Sequence, residues 1–151
     1  MNYVIIILLI IMGYYEMKRT ISRIIAMEII YNYNINKTLD YLGVMDIINS
    51  ENTEEFDENY LMKIVTGVVD NQKELDFIIS LNLKNYTLDR LSVVDRSLLE
   101  IGTFELYFTD TPKEIIINEI VEISKESSEI DDYKTSKFNN AVLDAIAKSK
   151  K

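Results

Sequence analysis

Apolar side chains recur along most of this chain at intervals of three and four residues, the spacing of a helix with one buried face. Over residues 20–33 that face is Ile21, Ile24, Ile25, Ile29 and Tyr31. Residues 34–36 break the pattern, and a second helix is predicted over 37–48 with Leu39, Leu42 and Ile47 inward. Residues 50–58 read as a polar loop with acids and no base. Asp57 then caps one long helix to residue 80, with Phe56 and Leu61 placed as a hydrophobic staple. Its stripe is Leu61, Ile64, Val65, Val68, Leu75 and Ile78. Residues 82–87 link the halves, and a short turn at 88–91 precedes the next helix.

The helix predicted over 93–108 organises the rest. Ser92 and Asp95 form a capping box, in which each side chain serves a backbone N–H at the helix start. Val93, Val94, Leu98, Leu99, Ile101, Phe104, Leu106, Tyr107 and Phe108 cover nearly its whole circumference. A helix apolar on all sides belongs inside a bundle. Another helix runs over 111–125, with Thr111 as N-cap, Pro112 in the first turn and Glu114 closing a second box. Ile116, Ile117, Ile120, Val121 and Ile123 form its stripe. A last helix over 135–148 buries Phe138, Val142, Ala145 and Ile146. The fold class is all-α, a bundle of six to seven helices in two packed sub-bundles joined near residue 85. Only 4 glycines and 1 proline in 151 residues agree with long helices and short connections.

Residues 1–16 stand apart. Val4 to Met12 is unbroken hydrocarbon, too short to span a bilayer, which needs about 20 residues. It lacks the basic start and small-residue cleavage site of a signal peptide. The reading is a hydrophobic leader, an upstream extension ahead of a domain at 17–151 that starts at Met17. The rival is an N-terminal membrane anchor.

The residue inventory removes most chemistry. With no histidine and no cysteine, histidine-dependent catalysis, cysteine nucleophiles and Cys/His zinc sites are excluded. No glycine-rich phosphate loop is present. The acid pairs Glu54-Glu55 and Asp131-Asp132 read as solvated loop carboxylates. No catalytic residue, metal site or cofactor is expected, and enzyme activity is not. The net charge of −9 opposes non-specific binding to nucleic acid, so any such binding must come from a local basic patch. Lys18, Arg19 and Arg23 offer one, with no acid until Glu28; Arg19 and Arg23, four apart, lie on one side of a helix. Snorkelling side chains at a helix start would look the same. Lys134, Lys137 and Phe138 offer a second. A lysine beside an exposed aromatic suits single-stranded RNA, yet Phe138 is also at the spacing of a buried stripe with Val142 and Ala145.

Three segments carry a family resemblance. Val94-Asp95-Arg96, Leu98-Leu99 and Phe104-Glu105-Leu106 resemble the VDR-x-I-L-R-x-A-x-Y-E-L segment of the NusB family of transcription antitermination factors. Pro112, Ile117-Asn118-Glu119, Val121-Glu122 and Lys125 resemble its P-x-x-V-x-I-N-E-A-V-E-L-A-K, and residues 137–144 its K-F-V-N-G-V-L-D. The order and spacing also match, over roughly residues 17–146. The resemblance implies a cytoplasmic, non-catalytic factor with no small-molecule substrate. It would bind boxA RNA of ribosomal RNA leader transcripts together with ribosomal protein NusE, within the RNA polymerase antitermination complex. It implies RNA binding by Lys18, Arg19 and Arg23, with Lys134, Lys137 and Phe138 bordering that surface. Asp89 and Asp95 would lie on the face that docks NusE, Asp95 serving in both capacities if one carboxylate oxygen stays exposed. Glu105, Asn118 and Glu119 would be structural polar groups on buried helices. Two alternatives share the pattern: a non-catalytic adaptor related to the accessory domain of ribosomal RNA methyltransferases, and a membrane-tethered helical adaptor using residues 1–16, although a membrane role is disfavoured.

Overall fold

The computed structural model describes residues 2–51, 55–127 and 134–150. Its elements are α1 (Tyr3–Asn36), α2 (Tyr41–Glu51), α3 (Glu58–Asp70), α4 (Gln72–Leu81), a short 3-10 turn (Leu88–Arg90), α5 (Val93–Phe108), α6 (Lys113–Ser127) and α7 (Lys134–Ser149). The described residues contain no strand, and the fold is all-α. The acids Glu54, Asp131 and Asp132 lie outside the described residues, as does the side chain of Ile47.

α5 is the centre. Its start is set as its sequence implies: Ser92 Oγ accepts the Asp95 N–H at 3.1 Å. The return bond differs, because the Asp95 carboxylate accepts the Ser92 hydroxyl at 2.8 Å. From Ser97 to Leu106 every residue is buried. α1, α3, α4, α6 and α7 all pack on this helix, so the two expected sub-bundles share α5 as a common wall. Gly67 lets α3 close onto it. A Cβ there would lie 2.2 Å from ring carbons of Phe104.

Ser22 ties α1 to the residue that begins α3. Ser22 Oγ accepts the Asp57 N–H at 2.9 Å and donates to the Asp57 carbonyl at 3.1 Å. Asp57 in turn caps α3 by accepting the Tyr60 N–H at 3.0 Å. The buried stripe of α1 comprises Ser22, Arg23, Ile25, Ala26, Ile29, Ile30 and Asn34. N-terminal to it the helix continues without a break through the hydrophobic leader. There the side chains of Val4, Ile5, Ile7, Leu8, Leu9, Ile10, Ile11 and Met12 are all exposed. Among the described residues no helix is long and apolar enough to cross a membrane.

Several local expectations change. The long helix expected over 57–80 is two helices, α3 and α4, broken at Asn71. Asn71 Nδ2 takes the Gly67 carbonyl at 2.7 Å, a side-chain bond that competes with helical backbone pairing. Leu42 is 81 % exposed, not inward. Asp40 Oδ1 accepts its N–H at 3.1 Å, which starts α2 there and turns Leu42 outward; Val44 and Ile48 pack on the core instead. The first helical acceptor of α6 is the Pro112 carbonyl, which takes the Ile116 N–H at 3.1 Å, so the helix begins one residue later than a Thr111 cap implies. α1 runs on through the expected break at 34–36 to Asn36 and closes at Lys37 in a left-handed conformation (φ 62°).

Candidate nucleic-acid interface

The basic segment in the middle of α1 splits into an outer and an inner part. Lys18 and Arg19 are half-buried, with their heads over aromatic rings. The Lys18 ammonium lies 5.3 Å from the centre of the Tyr14 ring, and the Arg19 guanidinium 4.7 Å from that of Tyr60. One helical turn on, Arg23 is fully buried. Its Nε donates to Glu105 Oε2 at 2.9 Å and its Nη2 to Glu105 Oε1 at 3.0 Å, a two-pronged ion pair with a side chain that is also fully buried. Nη2 further donates to the Tyr60 hydroxyl at 2.8 Å. Burial pushes the Glu105 carboxyl above its ordinary range, against the pull of Arg23.

This corrects one expectation. Arg23 does not project beside Arg19 from an exposed side of α1. A guanidinium deprived of water needs a buried carboxylate, and α5 supplies one. Glu105 thus has the internal partner expected of it. So does Glu119, whose carboxylate accepts the Thr20 hydroxyl at 2.9 Å. Asn118, read as a structural polar group on a buried helix, is exposed on the outer side of α6.

The second candidate set gathers at the start of α7. Lys134 and Lys137 are exposed. Phe138 is half-buried on the core, with its ring 5.6 Å from that of Tyr86. Arg90 lies over the other ring of the pair, 5.9 Å from the centre of Tyr86. The turn carrying exposed Asp89 therefore sits beside the start of α7. A bond from Thr87 holds the Asp89 carboxyl below its ordinary range, so it is ionised at neutral pH. Asp95 is placed differently. Besides the Ser92 hydroxyl on Oδ2, its Oδ1 accepts Asn139 Nδ2 at 3.1 Å, and the same amide donates to Ser124 Oγ at 3.1 Å. Both oxygens have internal partners, and Asp95 ties α5 to α6 and α7.

Tyr60 and Tyr86 were not among the residues singled out by sequence. Tyr60 is four residues from Ile64 on the buried stripe of α3, a spacing that marks it as inward. Nothing local signals the part played by Tyr86. Among the described residues there is no group of three or more side chains able to hold a metal ion.

A model of the NusB family matches residues 20–148. The chain belongs to the NusB family. The transcription antitermination protein NusB of Staphylococcus epidermidis is 36 % identical over 131 residues, which cover 86 % of this chain and 98 % of that protein. The NusB protein of Listeria welshimeri is 38 % identical over 132 residues, 87 % of this chain and 97 % of that one. Among solved structures, T. maritima NusB aligns with a TM-score of 0.71 at 30 % identity, covering 87 % of this chain and 91 % of that one. A structure of antitermination factors NusB and NusE in complex with dsRNA aligns with a TM-score of 0.76 at 28 % identity, covering 87 % and 96 %. The match to the NusB family begins at Thr20, so the exposed leader lies outside it, while α5, α6 and the described part of α7 up to Lys148 lie within.

Proposed function

We propose that this protein is a cytoplasmic transcription antitermination factor that binds boxA RNA of ribosomal RNA leader transcripts together with ribosomal protein NusE. It acts by binding and performs no chemistry of its own. The observation that carries this reading is the family match over residues 20–148, and directly before it α1 carries two cations, Lys18 and Arg19, that are not fully buried. Those two groups contact phosphate. Arg23 supports them from inside the bundle. Lys134, Lys137 and Phe138 form a second RNA-facing surface, where the Phe138–Tyr86 pair supplies aromatic surface on which an unstacked base can stack. Asp89 belongs to the NusE-docking face, and Asp95 holds that face in place. Residues 17–151 form the functional unit.

The test is a titration of boxA-type RNA at several salt concentrations, with and without NusE. In a protein carrying both Lys18→Ala and Arg19→Ala, affinity falls, and the slope of log affinity against log salt flattens by about 1.4, because each lost phosphate contact on a single strand accounts for roughly 0.7. Wild-type affinity and slope in that variant would move the RNA site off α1. Asp89→Lys reverses an exposed charge. It weakens NusE binding and leaves binding of RNA alone unchanged; full NusE affinity in a folded Asp89→Lys protein would place the docking face elsewhere.

A further inference from the structure

We propose that Tyr60 is a positioning residue for Arg19, a ring that holds the Arg19 guanidinium at the place where it meets RNA. This rests on the reading of α1 as the phosphate-binding edge.

The observation begins with one aromatic ring and two cations. The guanidinium of Arg19 lies 4.7 Å from the centre of the Tyr60 ring and that of Arg23 lies 5.2 Å from it. Two like charges on one ring repel, so each needs a reason to be there. Arg23 has one, because both oxygens of Glu105 neutralise it. Arg19 has only a share of that charge: Glu105 attracts it from beyond ion-pair distance, and among the described residues no carboxylate pairs with it directly. The charge left over at this edge of the bundle is therefore that of Arg19, and the ring is what it rests on.

Tyr60 is well suited to hold a long side chain still. It is itself only 7 % exposed. Its backbone N–H is fixed by Asp57 at 3.0 Å, and its hydroxyl accepts Arg23 Nη2 at 2.8 Å. The ring is thus pinned at both ends, by the first turn of α3 and by the buried ion pair of α1 with α5. An arginine free in water samples many rotamers, and all but one are lost when it binds phosphate. A guanidinium already stacked on a fixed ring loses fewer, and it keeps its N–H edges open for oxygen acceptors while its face is covered. The buried Arg23–Glu105 pair acquires a use beyond the core: it sets Tyr60, and Tyr60 sets Arg19.

The experiment uses the full chain with Tyr60→Leu, Tyr60→Phe, Arg19→Ala and the double variant Arg19→Ala/Tyr60→Leu, titrated with boxA-type RNA over a range of salt. Tyr60→Leu weakens binding roughly two- to fivefold, the scale of a part-exposed cation–ring contact. It leaves the salt slope unchanged, since Arg19 still ends on phosphate. Arg19→Ala reduces that slope by about 0.7. In the Arg19→Ala background Tyr60→Leu adds no further loss. Tyr60→Phe keeps the ring but loses the bond that fixes its outer end, so its affinity falls between wild type and Tyr60→Leu. A loss from Tyr60→Leu that is equal with and without Arg19 would show a merely structural role and overturn the proposal. So would wild-type affinity in Tyr60→Leu when Arg19→Ala is impaired. If Arg19→Ala itself binds normally, the reading of the α1 edge fails, and the role of Tyr60 falls with it. Should Tyr60→Leu not fold, the Arg19 Nε–H proton resonance decides: ring shielding moves it upfield in wild type and in Tyr60→Phe, and an unshifted resonance overturns the stacking.

Discussion

Arg23→Ala destabilises the protein by about 3–5 kcal/mol, the cost typical of removing one partner from a buried ion pair. Two groups lose their partner at once. Glu105, fully buried, keeps a carboxylate whose charge Arg23 had balanced on both oxygens, and the Tyr60 hydroxyl loses its donor. Burial already raises the Glu105 carboxyl, and without Arg23 it rises further. A carboxyl whose folded pKa is raised contributes stability below its unfolded pKa and loses it as pH climbs through the folded one. The variant is therefore most impaired at neutral and alkaline pH and recovers part of its stability in mild acid. Urea denaturation at pH 5 and pH 8 measures both effects. Removing both charges, as in Arg23→Met/Glu105→Leu, restores most of the loss, because apolar side chains of similar volume often replace a buried pair at little cost. Arg19→Ala, by contrast, costs no more than about 1 kcal/mol, the scale of its contact with the Tyr60 ring. An Arg23→Ala protein within 1 kcal/mol of wild type at pH 8 would mean that the pair is not buried as described.

A second large effect is expected from Glu100. It is fully buried on α5, where Asn34 Nδ2 donates to Oε1 at 2.7 Å and Gln72 Nε2 donates to Oε2 at 2.8 Å. The charged group facing it is Asp76 of α4. Arg96 Nη2 donates to Asp76 Oδ2 at 2.7 Å, while Asp76 Oδ1 is buried with no partner among the described residues. Burial first, then the neighbouring Asp76, push the Glu100 carboxyl from an ordinary 4.5 up to about 8. A proton held there can donate to the Asp76 oxygen that otherwise lacks a partner. The sign follows from proton binding. Between those two values the folded chain holds a proton that the unfolded chain releases, so stability is full below about 4.5 and declines as pH rises to about 8. The decline approaches roughly 1.4 kcal/mol per pH unit, amounting to several kcal/mol. Glu100→Gln cannot titrate, so it removes this part of the pH dependence. Its amide nitrogen takes the place of one oxygen that accepts from Asn34 or Gln72, so a buried donor loses its acceptor and the variant is less stable than wild type at pH 5. Denaturation curves at intervals from pH 5 to pH 9 check it; wild-type and variant stabilities that run parallel across that range would contradict a protonated Glu100.

The two arginines of α1 show how far the chain could be read directly. Their spacing of four correctly puts Arg19 and Arg23 near one another on the helix, but not on the same side of the solvent boundary. Periodicity alone does not separate them: Arg23, Ala26, Ile30 and Asn34 follow one another at three, four and four along the stripe that becomes the core, and Arg19 fits the same stripe four residues earlier. What the stripe does not announce is the compensation. Glu105 is 82 positions away, and Glu100 meets its donors Asn34 and Gln72 from 66 and 28 positions away. The break at Asn71, which lets Gln72 turn in to that network, was hidden because Val68 and Leu75 are seven apart and fit one continuous helix as well as two.

The sequence by itself determined the all-α class, the positions of α5, α6 and α7 to within a residue or two, and the family. These depend on caps, apolar periodicity and short runs of side chains, which act within a turn or two of helix. Only the tertiary structure decided which polar groups are buried, which cation of α1 remains outside, and that both oxygens of Asp95 have internal partners. The reason is energetic: a charge can leave water only where a partner from a distant segment meets it, and packing five helices around α5 is what brings those partners together.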